Sequence, residues 1–204
     1  MAQFASYSAF GTSLCGWLDV NEADVQSRKA ELIMMGENRI FREARTRDME
    51  ESYSTAIGSG VIAVPSGWVE WKHLYVNTTP VQRLETRPAT WIYERYPTRG
   101  SSGKPKYIAR EGTNFIFGPY PDSGYTVTGV YYKRLDAISA SGLNALFTNN
   151  EDLYLLACLA EAEMLIGRDN RVQLWEAKYQ KILSDVNGED RRADASGSVL
   201  RMRA

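Results

Sequence analysis

The sequence predicts an α+β protein: a helical bundle built from the two ends of the chain, with a central antiparallel β domain inserted between them. Three observations lead there. Apolar residues recur at spacings of three and four over residues 1–57 and again over 137–188. Across 58–136 the period drops to two, and Gly, Pro, Asn and Ser punctuate short apolar stretches. Finally, 204 residues with 44% hydrophobic side chains suffice for the core of one sizeable domain or two small ones.

In chain order, residues 6–18 form a short helix with Phe10, Leu14, Trp17 and Leu18 clustered on one side. Asp19 or Asn21 then caps a longer helix running to about Ser54, with an apolar stripe of Ala30, Ile33, Ile40 and Ala44 and with Phe41 beside it. On a helical wheel Arg28, Arg39 and Arg42 fall opposite that stripe and Arg45 at its edge. Two readings of this face stay open: a solvated surface, or a contact surface for a neighbouring subunit or DNA.

Strands follow at 61–64, 69–76 and 81–85. Pro88 opens a short helix that Pro97 closes. Residues 105–110 and 113–117 pair as a hairpin. The clearest strand is 125–134, with Tyr125, Val127, Gly129 and Tyr131 on one face. Thr148 and Glu151 have the spacing of a capping box that starts the next helix. That helix is apolar nearly all round, through Leu153, Leu155, Leu156, Ala157, Cys158, Leu159, Ala160 and Met164, so it belongs at the centre. Gly167 ends it. Val172, Trp175, Tyr179, Ile182 and Val186 mark a last helix, stopped at Gly188. The remaining 189–204 read as a flexible basic tail; from Arg191 onwards it holds four arginines and one aspartate.

Charge is nearly balanced, with 24 Lys+Arg against 25 Asp+Glu, so no global field draws the molecule to nucleic acid or a membrane. No signal peptide and no membrane span is expected, and the apolar run at 153–160 is too short to cross a bilayer. Cys15 and Cys158 form no CxxC pair; sequence leaves a disulfide between them open, and the expectation is two packed thiols in a reducing cytoplasm. His73, the sole histidine, lies in a strand without the partners of a zinc or triad site. Gly100-Ser101-Ser102-Gly103-Lys104 has the wrong spacer for a phosphate loop and is followed by Pro105. Two carboxylates would suffice for a glycosidase, and Trp68, Trp71, Trp91, Tyr93, Tyr96, Tyr107, Tyr131 and Tyr132 suit stacking on single strands. The better reading of those rings is packing and protein interfaces. The expectation is a non-enzymatic protein with no cofactor.

An ordered series of motifs carries a resemblance. It runs Arg39-Ile40-Phe41-Arg42-Glu43-Ala44-Arg45-Thr46-Arg47-Asp48, then Val64-Pro65-Ser66-Gly67-Trp68-Val69-Glu70 and Thr90-Trp91-Ile92-Tyr93-Glu94-Arg95-Tyr96-Pro97. Phe117-Gly118-Pro119-Tyr120-Pro121, Tyr131-Tyr132-Lys133-Arg134, Leu146-Phe147-Thr148-Asn149-Asn150-Glu151 and Leu174-Trp175-Glu176-Ala177-Lys178-Tyr179 complete it. Over about residues 6–192 the chain resembles the head-to-tail adaptor (head-completion or connector) proteins of tailed phages, especially short-tailed ones.

The resemblance implies a virion protein at the head–tail junction, made in the host cytoplasm and assembled as a homo-oligomeric ring, usually dodecameric, beneath the portal. Its implied partners are the portal protein, tail or nozzle proteins, further copies of itself and non-specifically contacted packaged DNA, with no membrane. The implied portal-docking segment is 191–204, with Arg191, Arg192, Val199, Leu200, Arg201, Met202 and Arg203 as contacts. Arg28, Arg39, Arg42, Arg45 and Arg47 are candidates for the subunit interface or the DNA channel. Glu37, Glu43, Asp48 and Glu50 are interleaved with them and favour subunit contacts. Competing readings are another neck or tail-tube protein and, more remotely, a cell-wall glycosidase.

Overall fold

The computed structural model describes residues 4–18, 23–97, 102–166 and 169–195. In chain order the elements are α1 (Tyr7–Leu18), α2 (Ala23–Glu43), a 3-10 turn (Arg47–Met49), β1 (Glu50–Ala56), β2 (Val61–Ala63), β3 (Trp68–Val76), β4 (Gln82–Arg83) and β5 (Glu85–Thr86). Then come α3 (Ala89–Arg95), β6 (Tyr107–Glu111), β7 (Asn114–Gly118), β8 (Thr126–Lys133), α4 (Ala145–Asn149), α5 (Glu151–Ile166) and α6 (Asp169–Ala195). The fold is α+β, with helices at both ends of the chain flanking central strands. The chain divides into two compact units, Met1–Met49 with Leu135–Ala204, and Glu50–Arg134.

The first unit is organised around α5. Leu153, Tyr154 and 156–160 are all buried, because a helix apolar on every side must be enclosed. Burying each leucine contributes roughly 1.5–3 kcal/mol. α2 and α6 pack against α5, and α1 lies against both α5 and α2. Phe10 meets Phe147 edge to face at 5.0 Å, and Phe147 meets Tyr154 at 5.1 Å. α2 approaches α5 closely at Gly36, where an added Cβ would lie 2.7 Å from Cys158 Sγ. Cys15 and Cys158 are both buried and unpaired with each other. Burial pushes the Cys158 thiol up and keeps it protonated.

A buried carboxylate fixes the segment that returns from the strands. Glu37, 3% exposed, accepts from Ile138 N–H at 3.0 Å and from Asn144 Nδ2 at 3.1 Å. Asn144 Oδ1 in turn caps α4 by accepting from Phe147 N–H at 2.8 Å and receives the Tyr154 hydroxyl at 3.1 Å.

The second unit is a pair of four-stranded sheets, β1-β8-β3-β4 and β2-β7-β6-β5. Ile57, Leu74, Val76, Leu84, Ile108, Phe115, Phe117 and Val127 form their shared core. Trp68 and Trp71 both lie 5.2 Å from Phe115, and Tyr53 lies 5.1 Å from Trp71. α3 covers the other face of the second sheet, where Ile92 packs with Ala109 and Ile116. The hairpin turns at Gly112, whose φ of 58° favours glycine.

Several sequence expectations are corrected. The second helix stops at Glu43 instead of Ser54, and Glu50–Ala56 is a strand. Its seven residues pair in register with β8, and that tertiary partner overrides the local helical reading. Ala30 is exposed and does not belong to the apolar stripe. The stretch 81–85 is interrupted at Leu84, whose N–H donates to Leu74 O at 2.9 Å. The following β5 pairs parallel to β6, so the β region is mixed and not wholly antiparallel. The Thr148–Glu151 capping box does not form. Thr148 sits inside α4 and donates to Asn144 O at 3.1 Å, while Glu151 Oε1 accepts from Phe4 N–H at 3.1 Å. Gly188 does not stop α6, which continues to Ala195, so 189–195 are helical. A single glycine costs a helix only about 1 kcal/mol relative to alanine. The reading of Gly167 as a stop lies outside the described residues.

Candidate functional site

The arginines expected on one face of α2 separate into different environments. Arg28 and Arg42 are exposed. Fourteen residues apart, they lie nearly in line along the helix and about 21 Å from each other. On the same line Met35 is 46% exposed, and Met34, about 100° round the helix, is 55% exposed. Arg47 is exposed in the 3-10 turn. Beside it Asp48 accepts from Asn149 Nδ2 at 3.0 Å.

Arg39 departs from the wheel. Its side chain is 13% exposed and turns into the packing of α2, α5 and α6. There it hydrogen-bonds Glu176 and lies 3.5 Å from Glu43 and 3.7 Å from Glu161. Its guanidinium stands 4.2 Å over the Tyr179 ring. The Arg39 hydrogen bond holds the Glu176 carboxyl below the usual carboxylate range, against the opposing effect of burial. Arg39 is therefore committed to cohesion within its own bundle.

Arg45 closes the end of α2. Its Nη1 donates to the carbonyls of Ala44 at 2.6 Å, Arg42 at 3.2 Å and Phe41 at 3.5 Å. Its own N–H donates to Asn187 Oδ1 at 2.9 Å, which brings α6 to the same helix end. The carbonyls left without partners at a helix C-terminus thus find donors.

In the C-terminal segment Arg192 is exposed, and its Nε donates back to Gly188 O at 3.2 Å. The Arg191 side chain and all of Val199, Leu200, Arg201, Met202 and Arg203 lie outside the described residues. Trp17 and Leu174 are each 50% exposed on the bundle, and on the β unit Val81 is exposed, as is Tyr93 of the rings named above. Trp17 rests edge-on against Trp175 at 5.9 Å. Its place in an apolar spacing pattern pointed to the core, because spacing does not distinguish the rim of a stripe from its centre.

His73 is exposed on β3, with its ring stacked on Tyr75 at 6.1 Å. The open cleft beside it, about 410 Å³, is lined by one carboxylate, Glu85, which pairs with Arg87 at 2.9 Å. Lys72 of the same cleft donates to Glu50 at 2.7 Å. This cleft does not present the pair of carboxylates that glycoside hydrolysis requires. Trp68, Trp71 and Tyr131, considered above as stacking platforms, take part in the aromatic packing of the β unit. Among the described residues no helix is long and apolar enough to cross a membrane, and no group of three or more His, Cys, Asp or Glu is placed to hold a metal ion.

No curated protein matches the chain. The family model of the SU10 adaptor protein matches residues 5–203, which takes in both compact units and nearly the whole C-terminal segment. The chain belongs to the SU10 adaptor protein family of phage adaptors.

Proposed function

We propose that this protein is the head-to-tail adaptor of a tailed phage. It assembles as a ring, dodecameric by family resemblance, on the portal and presents an attachment site for tail or nozzle proteins, and so helps to retain packaged DNA. The single observation that carries this reading is a family match running unbroken from residue 5 to residue 203, beyond the end of α6. Residues 196–204 serve as the portal-docking segment, through Val199, Leu200, Arg201, Met202 and Arg203. This segment combines arginine charge with the apolar Val199, Leu200 and Met202, the mix of contacts that a protein interface uses. Arg191 and Arg192, near the end of α6, complete the docking segment. Arg28, Arg42 and Arg47 face neighbouring subunits, with Met35 adding apolar contact between the first two. Any contact with DNA in the channel is non-specific.

The test mixes the purified chain with its cognate portal oligomer and counts bound copies by native mass spectrometry and negative-stain imaging. A ring on the portal is expected. A chain truncated after Ala195 is expected to keep its thermal midpoint and lose attachment. Full attachment by the truncated chain refutes the docking role, and no association at micromolar concentration refutes the adaptor reading.

A further inference from the structure

Sheet edges expose backbone N–H and C=O groups that template a further strand, and natural proteins blunt them with short strands, bulges or proline. Three of the four edges of the two sheets are blunted in this way. β2 has three residues, and β4 and β5 have two each. The part of β3 that β4 leaves uncovered carries register shifts between Trp68 and Glu70 and between Trp71 and His73. β1 is different. It is seven residues long and pairs with β8 in unbroken register from Glu50 to Ala56. It contains no proline and no charge from Ser52 onwards. Among the described residues no strand lies along its other side.

The parity of the ladder determines which groups face outwards. Ile57 N–H donates to Tyr125 O at 2.9 Å, and bonded positions alternate along an antiparallel pair. Thr55, Tyr53 and Glu51 therefore bond to β8. Glu50, Ser52, Ser54 and Ala56 direct their backbone groups away from the sheet. The Ser52, Ser54 and Ala56 side chains are exposed.

We propose that β1 is a strand-pairing surface for a second copy of this chain. Two β1 strands join antiparallel about a two-fold axis at Tyr53, merging two four-stranded sheets into one. The register is self-complementary. With Tyr53 opposite its own counterpart, outward positions meet only outward positions: Glu50 with Ala56, and Ser52 with Ser54. No like charges face each other. Glu50 and Glu51, paired to Lys72 at 2.7 Å and Lys133 at 3.8 Å, stand opposite Ala56 and Thr55. The two Tyr53 side chains meet at a non-hydrogen-bonded position, where cross-strand neighbours are closest.

The other edges of a second copy are too short to match seven residues, so β1 is the edge that fits β1. A two-fold contact does not propagate around a cyclic ring. The pairing belongs to the unassembled subunit and stands or falls independently of portal binding.

Sedimentation velocity of the full chain between about 1 and 100 µM tests it, a range that brackets micromolar dissociation constants. Ser54→Pro removes one outward N–H at a position where an edge strand tolerates proline. Ser54→Lys keeps the N–H and places a charge near the centre of the contact. The full chain is expected to double in mass across this range, with slower hydrogen exchange at the Ser52, Ser54 and Ala56 amides as concentration rises. Both variants are expected to stay monomeric. A full chain that is monomeric at the highest concentration overturns the proposal, as does a dimer that survives both substitutions. Should the variants fail to fold, the unaltered chain still decides: concentration-independent exchange at those three amides overturns it.

Discussion

Replacing Arg39 with methionine separates a cohesive role inside the bundle from a role at an interface. Methionine retains the packing of the stem and removes the charge. Deleting one partner of a buried ion pair costs about 3–5 kcal/mol. Here the Glu43 and Glu176 side chains are 35% and 39% exposed, so they rehydrate once freed. Pairs that open to water are worth at most about 1 kcal/mol each. Loss of the contact over Tyr179 adds about 0.5–2 kcal/mol. The expected net destabilisation is about 2–3 kcal/mol, between the buried and exposed limits. Urea unfolding followed by far-ultraviolet circular dichroism measures it. A double-mutant cycle with Glu176→Gln should return a coupling of about 1–2 kcal/mol. A loss below about 0.5 kcal/mol, the range of ordinary surface substitutions, refutes the reasoning. So does a coupling of zero. A variant with native stability that no longer assembles would return Arg39 to the interface suggested by the helical wheel.

Trp175→Ala removes a buried indole from α6 and should lower stability by about 3–5 kcal/mol, read from the shift of the urea midpoint. Gly129→Ala places a Cβ 2.3 Å from His73 O and 2.8 Å from Leu74 Cδ1. At the upper end of overpacking, about 3 kcal/mol, it should lower the thermal midpoint sharply, and an unchanged midpoint would refute the close approach of β3 and β8. In acid, the lowered Glu176 carboxyl contributes stability that is present above its ordinary value of 4.5 and lost as pH falls through its value in the folded protein. Urea midpoints should therefore drop below about pH 4.5, and less steeply in Arg39→Met. Equal slopes in the two proteins would show that the Arg39–Glu176 bond does not carry the effect.

Legibility in the sequence followed the kind of signal each element carries. α5 was legible because an apolar surface on all sides has one physical solution, burial, whatever surrounds it. β8 was legible because its alternation matches its burial, with Val127, Gly129 and Tyr131 all buried. β1 was not. Glu50-Glu51-Ser52-Tyr53-Ser54-Thr55-Ala56 contains few apolar residues, and only β8 beside it makes it a strand. The end of α6 was not legible at Gly188, because the cost of one glycine is small beside the helix formers that follow it. The candidate surface was legible in part. The helical wheel correctly placed Arg28 and Arg42 away from the core, where both are exposed, but Arg39 sits within the same stretch of helix and turns inward. Of its three acidic neighbours Glu43 lies one turn along α2, but Glu161 of α5 and Glu176 of α6 are more than a hundred residues away in the chain.

The sequence by itself determined the class of the fold, the central helix, most of the strands and the order of motifs that marks the family. These rest on periodicity and local chemistry, which are properties of neighbouring residues. Tertiary structure alone decided where helix gives way to strand at residue 50, which groups Glu37 and Asn187 bind, and which arginine of α2 turns into the bundle. Each of those depends on groups distant in the chain meeting in space, as when Glu37 receives Ile138 and Asn144 or Asn187 receives Arg45. A hydrogen bond between residues a hundred positions apart leaves no period in the sequence.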